Sequence, residues 1–260
     1  MPLTYASYLK LDELLALQRP VSDGPEHDEM LFIVIHQVYE LWFKQLLHEI
    51  DGLCGSLARG EAPRSLATFK RILTIMKVAV AQIDVLETMT PLEFLSFRER
   101  LESGSGFQSY QFREFEFSLG HKQASALDRY APGSPARQRL DRRWAEPTLW
   151  DAFLRFLADG GYAVPAELLA RDITRPIAPS PALQAVLVEV YRRDPATVTF
   201  CERLLDLDEG LQEWRYRHVK MVQRTIGTKS GTGGSSGAAY LMTTLHHPLF
   251  PDLWEIRSQL

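Results

Sequence analysis

Cysteine is scarce in this chain, and so is any surplus of positive charge. The two cysteines, Cys54 and Cys201, lie far apart in apolar helical patterns, so we expect two buried, reduced thiols. The absence of CxxC and CxxCH pairs disfavours a thiolate zinc site and a covalently attached c-type haem. Lysine and arginine total 29 against 33 acidic residues, a net charge of −4, which offers no basic surface for nucleic acid or for an anionic membrane.

Long apolar runs and strand-type alternation are missing as well. No stretch approaches the roughly 18 consecutive apolar residues that cross a bilayer. The N-terminus also lacks the basic region followed by an apolar core that marks a signal peptide. We therefore expect a cytoplasmic protein with no membrane partner. Hydrophobic residues make up 45% of 260 residues, which suffices for a large core.

A period of 3.6 residues dominates the chain and predicts an all-α fold, a bundle of long helices. We expect helices near residues 7–18, 28–55, 65–89, 91–101, 107–129, 147–159, 165–171, 181–193 and 196–226, then a short helix from Ala238 and a turn around 251–256. Proline-rich breaks at 131–135 and 173–181 separate shorter pieces. We expect one domain, 1–260, in which residues 130–195 could form a small helical insertion.

The helix predicted at 28–55 carries a histidine in apolar surroundings. One of its stripes contains Phe32, His36, Tyr39 and Phe43, next to a second, largely aliphatic stripe. A helix that is apolar nearly all round lies buried between neighbours, so we expect His36 inside the protein. Taken alone, this segment favours a core histidine hydrogen-bonded to a carbonyl or a carboxylate. A ligand, acid–base or substrate-contacting role is the alternative.

A second histidine, His218, lies near the end of the helix predicted at 196–226. Its apolar stripe also holds Leu211, Trp214, Met221, Val222 and Thr225. A structural role is the first interpretation, and a metal ligand is the alternative. No carboxylate or histidine stands one turn away on the same face, which argues against an HExxH-like zinc site. One imidazole is nevertheless enough for haem iron, because the porphyrin supplies four ligands itself.

A glycine-rich stretch follows this helix at residues 227–237. It fits neither a P-loop nor a dinucleotide-binding fingerprint, and a flexible linker is one interpretation. Its hydroxyls and backbone N–H groups would also suit a carboxylate or ammonium ligand. Arg98, beside Phe94 and Phe97, is open to two interpretations in the same way. It is a solvated helix arginine, or an arginine placed at an aromatic pocket to bind a carboxylate.

Four stretches together carry a resemblance to a known family. They are residues 32–42, residues 97–98 followed by 105–109, residues 214–218 and residues 231–237. In this order they resemble the tryptophan 2,3-dioxygenases, haem enzymes that open the indole ring. The resemblance extends from residue 5 to about residue 240. It implies a dioxygenase that adds O2 across the indole C2–C3 bond of L-tryptophan and forms N-formylkynurenine, the first step of the kynurenine pathway.

The resemblance also implies roles for individual residues. His218 would be the axial ligand of one non-covalent haem b per subunit, and His36 would accept a hydrogen bond from the indole N–H. Arg98 would hold the substrate carboxylate, and Thr232 would contact the carboxylate and the ammonium. The other expected substrate-pocket residues are Phe32, Ile33, Val34, Ile35, Phe94, Leu101 and Ser105. Some family members have tyrosine in place of Phe94.

The resemblance further implies an assembly. Tyr5 and Tyr8 correspond to tyrosines that a neighbouring subunit adds to the site, which implies a homotetramer built as a dimer of dimers. The alternative function is a haem-binding or haem-sensing helical protein without oxygenase activity. Such a protein would need His218 and an apolar pocket, but it would have no need for Arg98 and Thr232 together.

Overall fold

The computed structural model describes residues 2–24, 26–231, 238–245 and 247–260, and these residues form helices without strands. The α-helices are α1 (Tyr5–Leu9), α2 (Leu11–Leu15), α3 (His27–Ala58), α4 (Ala62–Leu86), α5 (Pro91–Arg98), α6 (Tyr110–Ser118), α7 (Pro135–Trp144), α8 (Leu149–Asp159), α9 (Ala166–Leu169), α10 (Pro181–Arg193), α11 (Pro195–Ile226), α12 (Ala238–Met242) and α13 (Pro251–Glu255). Short 3-10 helices lie at Glu99–Leu101, Gly106–Gln108, Ala124–Arg129 and Ile256–Gln259. The all-α prediction is confirmed.

The three long helices form the centre of the bundle, with α4 packed between α3 and α11. Their facing stripes supply the apolar core, in which Leu46, Phe69 and Leu204 are fully buried. Two polar contacts fix α3 against α4. The hydroxyl of Tyr39 donates to the carbonyl of Ala79 at 2.7 Å, and the Gln82 amide donates to the carbonyl of Ile35 at 3.1 Å. Both contacts lie within one turn of His36.

The helix ends follow local chemistry. Thr90 and Glu93 form a capping box at the start of α5, and Pro91 occupies its first turn, as predicted. Asp194 begins α11 by accepting hydrogen bonds from the backbone N–H groups of residues 196 and 197. The helix ends at Gly227, whose φ of +61° suits glycine. The predicted helix 196–226 therefore differs from α11 by one residue.

Two helix predictions were wrong in detail, and one helix was missed. The predicted helix 107–129 is broken, because the chain turns at Gly120 with φ +101°, where a Cβ would meet Cδ1 of Ile177 at 2.2 Å. The predicted helix 7–18 is α1 and α2, separated by Lys10 in the left-handed region at φ +54°. Helix α7 was missed because Pro135 was interpreted as a break. It instead takes the first helical position after the Ser134 cap.

The segment 130–195 contacts the central helices. Helix α8 packs on α3, α10 packs on α11, and their apolar residues belong to the main core. Whether 130–195 is an insertion within a single domain stays a prediction. No helix within the described ranges combines the length and the apolar character that a bilayer crossing requires.

A buried carboxylate fastens the C-terminal segment to α11. Asp208 is fully buried and accepts hydrogen bonds from the backbone N–H groups of Leu249 and Phe250 and from the indole of Trp254, at 2.8 to 3.1 Å. The Gln212 amide donates to the other carboxylate oxygen at 2.8 Å, so four donors compensate the cost of burying the carboxylate. The C-terminal turn predicted near 251–256 is α13 with the 3-10 turn that follows it.

Candidate functional site

A cavity of about 240 Å³ opens between α3, α5, α6, α11 and α12. It is lined by residues from all four stretches that carried the resemblance, including Gly231 of the glycine-rich stretch. Seven of the predicted site residues line it: Phe32, His36, Phe94, Arg98, Leu101, Ser105 and His218. The two histidines, 182 positions apart, therefore line the same cavity.

His36 is held in one tautomer by its own helix. Its Nδ1 lies 2.7 Å from the carbonyl oxygen of Phe32, one turn earlier. Because a carbonyl can only accept, Nδ1 carries the proton and Nε2 keeps a free lone pair. Burial lowers the pKa of His36, while the Phe32 carbonyl and Glu40 oppose that shift. The side chain is therefore a neutral imidazole with an acceptor at Nε2.

His218 is neutral for a similar reason. Burial lowers its pKa to about 4, and His36 contributes to the same shift. Its ring stacks on Trp214, one turn earlier on α11, with centroids 5.1 Å apart and planes 3° from parallel. It forms no hydrogen bond with another residue that the structure describes. A neutral imidazole with fixed orientation is the form in which histidine binds metals.

Aromatic rings form one wall of the cavity behind the two histidines. Trp214 contacts Tyr39, Phe43 and Phe112, with ring centroids 4.9 to 6.3 Å apart. Its indole Nε1 is buried and lies beside the hydroxyl of Tyr39, but the pair does not reach standard hydrogen-bond geometry.

A buried charge cluster on the same wall was missed by sequence reasoning. Arg215 donates to Glu116 at 2.8 Å, and both side chains are only 4% exposed. Arg113 also pairs with Glu116. Burial raises the pKa of Glu116, but Arg113 and Arg215 outweigh burial and hold the pKa below its usual value. Two guanidinium groups thus contact one buried carboxylate at the wall of the cavity.

Arg98 lies at the edge of the cavity and reaches the glycine-rich stretch. Its Nη2 donates to the backbone carbonyl of Ser230. Four further N–H groups of a guanidinium remain for other acceptors. Phe94 lies behind it, with its ring centroid 5.7 Å from that of Phe32. Thr232, predicted to contact the substrate, lies outside the described residues.

The structure does not bring every predicted residue to the cavity. Side chains that face one side of a helix lie three or four positions apart, so Phe32 and His36 line the cavity whereas Ile33, Val34 and Ile35 do not. Ile35 packs in the core, and Val34 is exposed. Tyr5 and Tyr8 are 76% and 70% exposed on α1 and do not reach the cavity of their own chain.

Comparison with known proteins agrees with this geometry. The sequence profile of the family described as tryptophan 2,3-dioxygenase matches residues 1–140 and 163–260. The chain is 62% identical over 258 residues to a protein named tryptophan 2,3-dioxygenase from Herpetosiphon aurantiacus, covering 99% of this chain and 98% of the relative.

Two other relatives carry the same name. One from Anaeromyxobacter sp. (strain K) is 58% identical, with 99% of this chain and 96% of the relative covered. One from Caulobacter vibrioides is 43% identical, with 99% and 98% covered. Profile and full-length identity lead to one conclusion: the chain belongs to the tryptophan 2,3-dioxygenase family.

Proposed function

We propose that this protein is a haem-dependent dioxygenase that converts L-tryptophan and O2 to N-formylkynurenine. One observation carries the proposal. Two neutral imidazoles, His36 and His218, come from different long helices and line one largely apolar cavity, with Arg98 at its edge. Family membership supports the same reaction.

The residues of the cavity fit haem b. His218 would hold the haem iron through its imidazole nitrogen, since the imidazole is neutral and has no competing hydrogen bond within the described residues. The guanidinium groups of Arg113 and Arg215, which line the cavity, would suit the anionic propionate groups. When bound, haem supplies the activation of O2.

The substrate would lie on the side of the cavity that His36 faces. Phe32, Phe94 and Leu101 offer apolar walls for the indole ring, and Nε2 of His36 can accept a hydrogen bond from its N–H. Arg98 would bind the carboxylate through donors that Ser230 leaves free. Thr232 is proposed as a further contact to the amino-acid end, on the strength of the resemblance alone.

The chain contributes position, polarity and exclusion of water to the reaction. A neutral His36 orients the indole but carries no proton at Nε2 to donate. The apolar walls keep bulk water away from the C2–C3 bond that is cleaved. Both atoms of O2 enter N-formylkynurenine, so the overall reaction consumes no external reductant. Tryptophan and one O2 together contain every atom of the product.

We propose a homotetramer in which Tyr5 and Tyr8 of one subunit reach a neighbouring site. The first helices support this, because Tyr5, Tyr8, Leu14 and Leu15 expose apolar surface that another subunit could cover. No nucleic acid or membrane partner is proposed, in line with the net charge of −4. The cytoplasmic location expected from the sequence stays a prediction.

The test is to reduce the haem-loaded protein, add L-tryptophan and O2, and look for N-formylkynurenine. A haem sensor without oxygenase activity is the alternative function. It predicts a haem spectrum but neither product nor a tryptophan-dependent spectral change in the reduced protein. Formation of product that depends on L-tryptophan supports the dioxygenase. A stable, haem-loaded protein that forms none would refute it.

A further inference from the structure

His218 packs against an aromatic ring and forms no hydrogen bond that would orient it. A histidine that binds a metal is usually oriented by a hydrogen bond from its second ring nitrogen to a carboxylate or a carbonyl. His218 has no such hydrogen bond with any residue in the described ranges. The contact that it does make is with Trp214, whose ring plane is 3° from parallel to the imidazole. A parallel ring at this distance restricts the rotation of the imidazole.

The contact follows from the register of α11. Trp214 and His218 are four positions apart, and a long side chain on a helix points back towards the residue one turn earlier. The imidazole therefore lies over the indole, with ring centroids 5.1 Å apart. Both residues line the cavity, so the stacked pair forms part of its wall.

Trp214 is itself held by three rings from two other helices. Tyr39 and Phe43 on α3 meet the indole edge to face, with interplanar angles of 73° and 83°. Phe112 on α6 packs against it with a ring-centroid distance of 4.9 Å. The hydroxyl of Tyr39 is anchored in turn by its hydrogen bond to the carbonyl of Ala79. The indole therefore cannot turn without displacing rings of α3 and α6.

We propose that Trp214 is the positioning residue for His218 and fixes the plane of the imidazole, so that its ring nitrogen binds haem iron in one orientation. The inference rests on the proposed function in one respect, namely that His218 binds the iron. An aliphatic side chain at position 214 would offer no flat face, and the imidazole could then adopt more than one rotation. A phenyl ring at the same position would keep the face.

The test compares Trp214→Leu and Trp214→Phe with the matched control Trp144→Leu. Trp144 is also a half-buried tryptophan packed against an aromatic ring, with its centroid 5.1 Å from that of Phe117, but it does not line the cavity. The readout is the iron–histidine stretching band in the resonance Raman spectrum of the reduced, haem-loaded protein without O2 and without L-tryptophan. The rate of haem loss is measured in parallel by transfer to apomyoglobin. Trp214→Met, which fills more of the space without a flat face, replaces Trp214→Leu if that variant does not fold.

We expect the same band in the unmodified protein and in Trp214→Phe, and a shifted or broadened band in Trp214→Leu. Haem loss from Trp214→Leu should be faster by about two- to tenfold, the factor that a stacked aromatic pair contributes. Trp144→Leu should leave the band unchanged even where it lowers the melting temperature. The inference is overturned if Trp214→Leu keeps the band of the unmodified protein. It is also overturned if Trp144→Leu or Trp214→Phe changes the band as much as Trp214→Leu does.

The proposed function is tested separately on the same samples. A normal band in an unmodified protein that forms no N-formylkynurenine would refute the dioxygenase, while a changed band in Trp214→Leu would still support the role of Trp214. Formation of product together with an unchanged band in Trp214→Leu would refute the role of Trp214 alone. If the unmodified, haem-loaded protein shows no iron–histidine band, the assignment of His218 is wrong and this inference is overturned with it.

Discussion

Replacing Arg98 by alanine should weaken the use of L-tryptophan strongly while haem stays bound. Arg98 lines the cavity edge, on a different helix from His218. Removing one partner of a buried, hydrogen-bonded charge pair costs about 2–5 kcal/mol. Arg98 is partly exposed, so we expect the lower part of that range, about 2–3 kcal/mol, or roughly 30- to 150-fold in kcat/KM.

The contact with Ser230 requires a control, because Arg98→Ala also removes a hydrogen bond to the glycine-rich stretch. Tryptamine, which lacks the carboxylate, separates the two effects. If Arg98 binds the carboxylate, the variant should lose affinity for L-tryptophan but bind tryptamine as the unmodified protein does. Spectral titration of the reduced, O2-free protein measures both affinities. Equal losses for the two ligands, or unchanged kinetics with L-tryptophan, would refute the reasoning.

The other predictions concern both histidines and the buried charge cluster. His218→Ala should lose haem, as seen in the absorption spectrum of the purified protein; a normal five-coordinate ferrous spectrum would mean that another residue is the ligand. His36→Ala should retain haem and lower kcat/KM by no more than about tenfold, because one neutral hydrogen bond is worth about 0.5–1.5 kcal/mol; complete loss of turnover would contradict this. Despite its burial, Glu116 has a pKa that Arg113 and Arg215 hold below 4.5. The ionised carboxylate therefore stabilises the fold fully above pH 4.5, and this stabilisation is lost as the pH falls through the lowered pKa. In urea unfolding, the difference in free energy of unfolding between the unmodified protein and Glu116→Gln should therefore become smaller below pH 4.5. A difference that does not change with pH would contradict a stabilising role for these ion pairs.

The long helices could be predicted because their apolar stripes are local in sequence. The stripes of α3 and α11 also placed His36 and His218 on inward faces, as the structure has them. Helical periodicity does not predict that those two faces line the same cavity. The shared cavity was expected only from the family resemblance, which depends on four separate stretches of sequence taken together.

The remaining features depend on contacts between distant segments. Glu116 and Arg215 are 99 positions apart, and neither differs in sequence from a solvent-facing charge. Helix α6 ends at Ser118, and Gly120 turns the chain at φ +101°, where Ile177 from another part of the chain leaves no room for a Cβ. No local pattern reports either long-range contact.

The central claim is that the protein adds both atoms of O2 to tryptophan in the cavity that His36 and His218 line. The most direct measurement is mass spectrometry of the product formed by the reduced, haem-loaded protein from L-tryptophan under ¹⁸O2. We predict N-formylkynurenine carrying two ¹⁸O atoms, and no product from a sample of His218→Ala prepared in the same way. Product with a single ¹⁸O atom, or no product from protein with a full haem complement, would contradict the account.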